Sequence, residues 1–199
     1  MPSDYEQWDE IYRTSTPEEL PWELGRPRPQ LVELIESGKI VPRGRALDVC
    51  CGLGTNTVYL AQAGFRVAAL DISPTAVAQG RRKALEADVD IDFLVGNAVR
   101  LPFGDESFRF VLDVGCFHHI HPEDRDVFLQ GIRRVLTPGG RYFVICFSSR
   151  SGARWNHFSA GDLLGIFSPY FQILEMTEFE SQEGNSVLRF FWKTLMEKA

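Results

Sequence analysis

The most informative segment of the sequence is Leu47-Asp48-Val49-Cys50-Cys51-Gly52-Leu53-Gly54, an apolar run that ends in a glycine turn before a helical pattern. Gly52 and Gly54 allow the backbone to turn sharply and to approach a ligand with no Cβ in the way. Nineteen residues after Gly52, Asp71 ends a second apolar run, where a carboxylate can accept both hydroxyls of a ribose. This strand–turn–helix pattern predicts a nucleoside-containing cofactor at the carboxyl edge of a sheet.

Short apolar runs alternate with helical patterns along the rest of the chain, which is typical of an α/β domain with a mostly parallel sheet. The predicted strands cover 46–50, 65–70, 91–95, 108–112 and 141–147, and Pro138-Gly139-Gly140 predicts a turn before the last. Helices are predicted over 31–38, 56–63, 73–87, 122–136 and 159–168. Two final runs, 171–179 and 187–193, flank Glu183-Gly184-Asn185 and predict an antiparallel hairpin.

The composition bounds the function classes. The chain has 199 residues, a net charge of −6, 44% hydrophobic and 24% charged residues, which is typical of one globular domain. The acidic balance argues against nucleic acid or an anionic membrane as a partner. The polar start predicts no signal peptide. Cys50, Cys51, Cys116 and Cys146 show no CxxC spacing, so we expect no disulfide and a reducing, cytoplasmic setting.

Two residues near the glycine turn distinguish between nucleoside cofactors. Thr57 stands where a nicotinamide dinucleotide site usually has a third glycine or alanine, and the chain has no Tyr-x-x-x-Lys. Asp48 lies four residues before Gly52, where a carboxylate would repel a pyrophosphate but hold an amino group. S-adenosylmethionine offers an ammonium group and a sulfonium and carries no phosphate. The pattern therefore favours a methyl donor over a nicotinamide cofactor.

Several ordered motifs carry a family resemblance. They are Leu47 to Gly54, Leu70-Asp71-Ile72-Ser73, Gly96-Asn97-Ala98 with Leu101-Pro102-Phe103, Val111-Leu112-Asp113-Val114 and Leu136-Thr137-Pro138-Gly139-Gly140. In this order, over about 44–147, they resemble the class I S-adenosylmethionine-dependent methyltransferases. The resemblance implies one Rossmann-like, doubly wound α/β domain over 1–199, with strand order 3-2-1-4-5-7-6 and strand 7 antiparallel. Residues 1–43 would then form an amino-terminal lid and helix.

The resemblance also implies a role for each matched position toward S-adenosyl-L-methionine. Asp48 and Gly52 would hold the methionine end, Asp71 the ribose, Ile72, Asn97 and Ala98 the adenine, and Val114 with Gly115 the floor near the sulfonium. Gly54 is also predicted to bind the cofactor, as part of the glycine turn. Two positions depart from the family pattern. Cys50 replaces the first glycine of the turn, and Asn97 replaces an acidic residue beside the adenine. Both departures bear on cofactor affinity.

The amino-terminal segment resembles the lid of small-molecule methyltransferases of the thiopurine, thiol, halide and tellurite-resistance kind. The matching residues are Trp8, Tyr12, Pro21-Trp22, Gly25-Arg26-Pro27 and Pro29. A cap with aromatic side chains would exclude water and face a sulfonium cation. Trp22 and Arg26 are therefore predicted to contact the cofactor. The alternative is that Trp8 and Trp22 pack on the core.

Candidate acceptor residues follow strands four and five. His118, His119 and His121 come directly after strand four, and His119 is favoured over His118 as a general base or as a group that orients the acceptor. The alternative is that these histidines cap a helix and pack. Arg150 and residues 154–157 form a polar loop after strand five that would bind an anionic or planar substrate. No metal site is predicted.

These patterns predict methyl transfer from S-adenosyl-L-methionine to a small-molecule acceptor by in-line displacement, in a monomer or weak homodimer. Three alternatives stay open. The first is a non-catalytic S-adenosylmethionine-binding module, and the second is a methyltransferase that acts on protein or nucleic acid. The third is a nicotinamide-dependent oxidoreductase, which Asp48 and Thr57 disfavour.

Overall fold

The computed structural model describes residues 4–40, 44–182 and 187–199, and in these a seven-stranded sheet carries helices on both faces. The strands are β1 (Arg45–Val49), β2 (Arg66–Asp71), β3 (Ile91–Val95), β4 (Phe108–Val114), β5 (Leu136–Phe147), β6 (Gln172–Gln182) and β7 (Leu188–Glu197). The helices are α1 (Asp4–Thr14), α2 (Pro29–Glu36), α3 (Thr55–Gln62), α4 (Pro74–Glu86), α5 (Arg125–Val135) and α6 (Ala160–Phe167).

The strand order is β3-β2-β1-β4-β5-β7-β6, with β7 antiparallel to both β5 and β6 and the other neighbouring strands parallel. The predicted fold class and strand order are confirmed. Parallel strands joined through helices bring all their carboxyl ends to one edge of the sheet. Because β7 runs the other way, its first residues reach the same edge as the last residues of β5.

Each face of the sheet buries its own apolar cluster. In β4, Val111 packs with α5 and α6, whereas Phe110 and Leu112 pack with α2 and α3 on the opposite face. This alternation is the two-residue period of a strand that is covered on both sides. In α5 the apolar side chains Phe128, Leu129, Ile132 and Val135 are fully buried, as their helical spacing predicts.

The predicted turn at Pro138-Gly139-Gly140 is wrong, because these residues lie within β5 as an irregularity of its pairing. Leu136 pairs with Phe108 and Arg141 with Phe110, so five residue steps on β5 face two on β4. The N–H of Gly139 donates to the carbonyl of Lys198, whose own N–H donates to Gly140. The chain after β7 thus satisfies backbone groups that a free turn would leave to solvent.

Other differences lie at the two ends of the chain. Helix α1 was not predicted, because its segment is polar overall and contains few apolar residues. The two strands of the predicted terminal hairpin are present and longer than expected, while its turn at Glu183-Gly184-Asn185 lies outside the described residues. Within the described part of the chain, no helix has the length and apolar character needed to cross a bilayer.

Candidate active site

A cavity of about 430 Å³ opens at the carboxyl edge of the sheet, beyond the ends of β1, β2 and β4. Among the predicted site residues it is lined by Trp22, Arg26, Asp48, Gly52, Asp71, Ile72, Asn97, Ala98, Val114, Gly115, His118 and His119. Of the residues predicted to bind the cofactor, all but Gly54 line its wall. Residues far apart in sequence therefore share one cavity, at the position where open α/β sheets bind ligands.

The turn after β1 is built from left-handed backbone. Cys50 has a φ of +54° and Gly52 a φ of +53°. The N–H of Gly52 donates to Asp71 Oδ2 at 2.8 Å, which ties the turn to the end of β2. A Cβ added to Gly52 would lie 3.0 Å from the Tyr12 hydroxyl. Cys50 thus occupies a conformation that costs a non-glycine residue about 1 kcal/mol, and the turn keeps its form despite the missing glycine.

Gly54 serves packing behind the turn. Its φ is +75°, and an added Cβ would lie 3.2 Å from Gly80 Cα and 3.3 Å from Phe93 Cζ. A side chain at this position would push α3 away from α4 and β3.

The expectation of no disulfide is wrong. Cys50 and Cys116 are joined as a disulfide, with their Cα atoms 5.5 Å apart, and both residues line the cavity. The two cysteines are 66 residues apart in sequence, and they meet because β1 and β4 are neighbours whose ends face the same edge. Cysteine spacing along the chain carries no trace of this pairing.

Asp48 is a buried carboxylate on the cavity wall. It is 2% exposed, and its Oδ2 accepts a hydrogen bond from Thr57 Oγ1 at 2.5 Å. Burial, together with the nearby carboxylates Asp113 and Asp71, raises the pKa of Asp48 to about 7. No described cationic side chain forms an ion pair with it. Thr57, noted above for not being glycine, is thus the partner of this carboxylate.

Asp71 organises the backbone around the end of β2. Its two oxygens accept from the N–H of Gly52 at 2.8 Å and of Ser73 at 2.9 Å. Burial raises the pKa of Asp71, and these backbone N–H groups oppose that rise. A carboxylate has about four lone-pair sites, so two remain for hydroxyl groups of a ligand in the cavity.

Aromatic side chains of the amino-terminal segment line the cavity. Trp8 meets the His119 ring edge-on at a centroid distance of 4.9 Å and Trp22 at 5.7 Å. Asp9 accepts from Ser73 Oγ at 2.6 Å and from the Thr75 N–H at 3.0 Å, which fixes α1 at the start of α4. Contact of Trp22 with the cofactor stays a prediction. Trp8 packs beside the small buried cluster of Tyr12, Leu20, Leu53 and Ala76, and Trp8 and Trp22 also line the cavity.

Asp113 anchors the histidine segment that follows β4. Its carboxylate accepts hydrogen bonds from the N–H groups of Cys116 and Phe117 and from the Tyr142 hydroxyl. His118 is buried, stacks on Phe147 at 4.1 Å, and its Nδ1 has no hydrogen-bond partner. Desolvation holds the pKa of His118 well below its usual range. It also lowers the pKa of His119 to about 4. Both imidazoles are therefore neutral at neutral pH.

The far end of the cavity contains residues that the sequence patterns missed. Arg28, Phe147, Arg189 and Phe191 line it together with Arg154, Asn156 and His157 of the loop after β5. Phe147 could have been predicted as a site residue, because it ends the predicted fifth strand at the carboxyl edge of the sheet. The antiparallel position of β7, which brings Arg189 and Phe191 to this edge, was not readable locally. The predicted loop residue Arg150 lies outside the cavity wall, where it pairs with Glu178 at 2.7 Å.

Several known proteins are similar to this chain in sequence or in fold. Residues 46–140 match the family described as "Methyltransferase domain". The chain is 30% identical over 169 residues to probable thiol methyltransferase 2 of Arabidopsis thaliana, covering 82% of this chain and 74% of that protein. This chain belongs to the class I S-adenosylmethionine-dependent methyltransferases. The predicted family, enzyme class and methyl donor, S-adenosyl-L-methionine, are confirmed.

Two further relatives of this methyltransferase are informative. It is 33% identical over 147 residues to 2-heptyl-1-hydroxyquinolin-4(1H)-one methyltransferase of Mycobacteroides abscessus, covering 71% of this chain and 64% of that protein, so the match spans slightly under two thirds of the relative. An N-methyltransferase of Bradyrhizobium japonicum, solved with S-adenosyl-l-homocysteine, superposes with a TM-score of 0.78 at 17% identity over 98% of this chain and 99% of that one. The latter likeness supports the fold.

The residues of the cavity fit S-adenosyl-L-methionine. Asp48 is a buried carboxylate that faces a cavity and has no cationic partner among the described residues, and the ammonium group of the cofactor would supply one. Asp71 retains acceptor sites for two ribose hydroxyls. Gly115, with a φ of +94°, leaves the floor beside His118 free of a side chain.

Proposed function

We propose that this methyltransferase transfers the methyl group of S-adenosyl-L-methionine to a small-molecule acceptor bound under the amino-terminal lid. The observation that carries the proposal is the single continuous cavity. It joins the residues that fit the cofactor, Asp48 and Asp71, to a second region beneath Trp8 that is lined by His118 and His119. When bound, the cofactor supplies an electrophilic methyl group on a sulfonium.

The aromatic side chains of the amino-terminal segment support a small acceptor. Trp8 and Trp22 line the cavity, and Trp8 packs edge-on against His119, so aromatic surface lies beside the region proposed for the acceptor. The named relatives include one methyltransferase for a thiol and one for a hydroxyquinolinone. Holding two reactants at attack distance supplies much of the rate of a displacement reaction.

Two measurements on the whole protein test this proposal. Titration calorimetry is expected to show binding of S-adenosylhomocysteine with a dissociation constant in the micromolar range, about −8 kcal/mol. Incubation with methyl-labelled cofactor and a panel of aromatic thiols, phenols and amines is expected to give a labelled small molecule. Binding without transfer to any acceptor would favour a non-catalytic module. Transfer only to protein or nucleic acid would contradict the small-molecule assignment.

We also propose that His119 orients the acceptor. Its pKa of about 4 makes it a weak base, whereas its neutral ring can still donate or accept a hydrogen bond at the cavity. His119→Ala is expected to lower kcat by about tenfold to a hundredfold, with an unchanged dissociation constant for S-adenosylhomocysteine. His119→Gln keeps hydrogen-bonding groups without a titrating ring, so it should recover much of the activity. If glutamine behaves like alanine, the orienting role is wrong and proton transfer is favoured.

The pKa of Asp48 predicts how cofactor affinity depends on pH. Because this pKa is raised to about 7, the carboxyl is partly protonated at neutral pH, and the ammonium of the cofactor binds its ionised form. Affinity for S-adenosylhomocysteine is therefore expected to fall as the pH decreases, by about tenfold between pH 8 and pH 6. Calorimetry at both pH values measures the change.

The control for this prediction is 5′-methylthioadenosine, which carries the same ribose and adenine without the ammonium group. Any effect of the Asp71 carboxyl acts on both ligands and cancels in the ratio of their affinities. That ratio should depend on pH in the wild type and should be flat in Asp48→Asn. An equal pH dependence of both ligands in the wild type would rule out the contact between Asp48 and the ammonium.

A further inference from the structure

The acceptor end of the cavity carries positive charge. Arg28, Arg154 and Arg189 line it. Arg28 is 5% exposed and donates to the Trp22 carbonyl at 3.4 Å. Neither Arg154 nor Arg189 forms an ion pair with any described residue. In an acidic protein with a net charge of −6, this local charge is opposite in sign to the whole molecule.

The charged groups act on each other at this end of the cavity. Burial is the main cause of the lowered pKa of His118 and of His157. The charges of Arg28 and His157 add to it at His118, and those of Arg154 and Arg189 add to it at His157. These five groups therefore stand close enough to repel an added positive charge. A bound anion would relieve that repulsion and find hydrogen-bond donors in the guanidinium groups.

Aromatic rings form the wall beside these arginines. Phe147 lies between His118, stacked on it at 4.1 Å, and Phe191, stacked at 5.1 Å. The Arg189 guanidinium lies 5.6 Å from the Phe147 ring centroid. A cavity wall of aromatic side chains with positive charge beside it favours a planar ligand that bears a negative group.

The histidines nearest this wall are poor proton acceptors, since both His118 and His119 have strongly lowered pKa values. An ordinary phenol or thiol has a pKa of about 8.5 to 10, so neither histidine would take its proton readily. An acceptor that arrives with its nucleophilic atom ionised needs no base. It would also be stabilised by the same arginines.

We propose that the acceptor is a planar aromatic anion whose negative group is held by Arg189 with Arg154, a proposal that rests on the function proposed above. In the reaction, the lone pair of the acceptor forms a bond to the methyl carbon. The carbon–sulfur bond breaks, and its electron pair stays on sulfur. When the nucleophilic atom is ionised, the acceptor anion and the sulfonium react to give the methylated acceptor and S-adenosylhomocysteine, and no proton has to be removed. The negative group is either that ionised nucleophile or a carboxylate elsewhere on the ring; in the second case the nucleophilic atom must first lose its own proton to solvent.

The test uses a non-reacting matched pair, 2-naphthoate and 2-naphthamide, titrated into the complex of the whole protein with S-adenosylhomocysteine. Naphthoate is expected to bind at least about tenfold more tightly than the amide. Arg189→Gln should remove most of this preference and leave the S-adenosylhomocysteine affinity unchanged, and Arg189→Lys should keep part of it. Arg150→Gln is the matched control, because Arg150 pairs with Glu178 outside the cavity wall.

The outcomes separate this proposal from the one on which it rests. If S-adenosylhomocysteine does not bind, the proposed function fails first. If it binds and naphthoate and naphthamide bind equally, or if the preference survives in Arg189→Gln, the anionic-acceptor proposal is overturned. Thermal unfolding of each variant verifies that it is folded. Methylation of aromatic thiols then distinguishes the two sources of charge. If the negative group is the ionised sulfur, Arg189→Gln should raise KM for acidic aromatic thiols that carry no carboxylate. If it is a carboxylate, the substitution should raise KM only for aromatic thiols that carry one. An unchanged KM for both kinds of thiol would contradict the proposal.

Discussion

Replacing Asp71 by asparagine is expected to weaken binding of S-adenosylhomocysteine by about tenfold to a hundredfold, the range for losing hydrogen bonds to a charged group. Asp71 lies at the end of β2, where its oxygens already hold the N–H groups of Gly52 and Ser73 and retain sites for ribose hydroxyls. An asparagine amide would turn an N–H₂ group toward one of these donors. Titration calorimetry measures the loss.

A ribose contact has a distinctive signature. The Asp71→Asn substitution should weaken 5′-methylthioadenosine and S-adenosylhomocysteine by similar factors, because both contain the ribose. Asp92→Asn is the matched control, since Asp92 lies on the neighbouring strand β3, exposed and paired with Arg45 at 3.2 Å. An unchanged affinity in Asp71→Asn would remove the ribose assignment.

Replacing Asp113 by alanine is expected to destabilise the fold by about 3 kcal/mol or more, because each buried donor left without a partner costs about 1–3 kcal/mol. Three donors depend on Asp113, namely the N–H groups of Cys116 and Phe117 and the hydroxyl of Tyr142 at 2.8 Å. For a domain of this size the midpoint of thermal unfolding should fall by about 6–12 °C. Urea denaturation at pH 7 measures the free energy of unfolding.

Tyr142→Phe is the comparison for this substitution. It removes one of the three hydrogen bonds and leaves the carboxylate with both backbone partners, so a loss of about 1 kcal/mol is expected. Equal destabilisation by the two substitutions would mean that the backbone of the histidine segment does not depend on Asp113. Because His118 and His119 follow this anchor directly, Asp113→Ala should also lower methyl transfer more than Tyr142→Phe does.

Most of the residues that we propose for the cofactor were predicted from the sequence. Asp48, Gly52 and Asp71 lie within 24 residues of one another, and a strand, a glycine turn and a helix place them by local geometry alone. The capping of α4 by Ser73 and of α6 by Ser159 was predictable for the same reason, since a cap depends on three or four adjacent residues. Gly54 was grouped with the cofactor residues because sequence spacing does not distinguish a ligand-facing glycine from one that packs against Phe93.

The acceptor half required the tertiary structure. Arg28 precedes α2, Phe147 ends β5 and Arg189 begins β7, so these residues meet only because the last strand inserts antiparallel beside β5. The same holds for Cys50 and Cys116, which pairing between β1 and β4 brings together.

The sequence by itself determined the fold class and, through its family resemblance, the strand order and the methyl donor, and it predicted most of the residues that line the cavity. These depend on short-range patterns, in which a few adjacent side chains set the backbone and the backbone sets the site. Only the tertiary structure showed that Arg28, Arg154 and Arg189 line the same cavity, and that burial lowers the pKa of His118 and His119. Charge and burial at a point are sums over all neighbours in space, and the neighbours of His118 come from four separate segments of the chain.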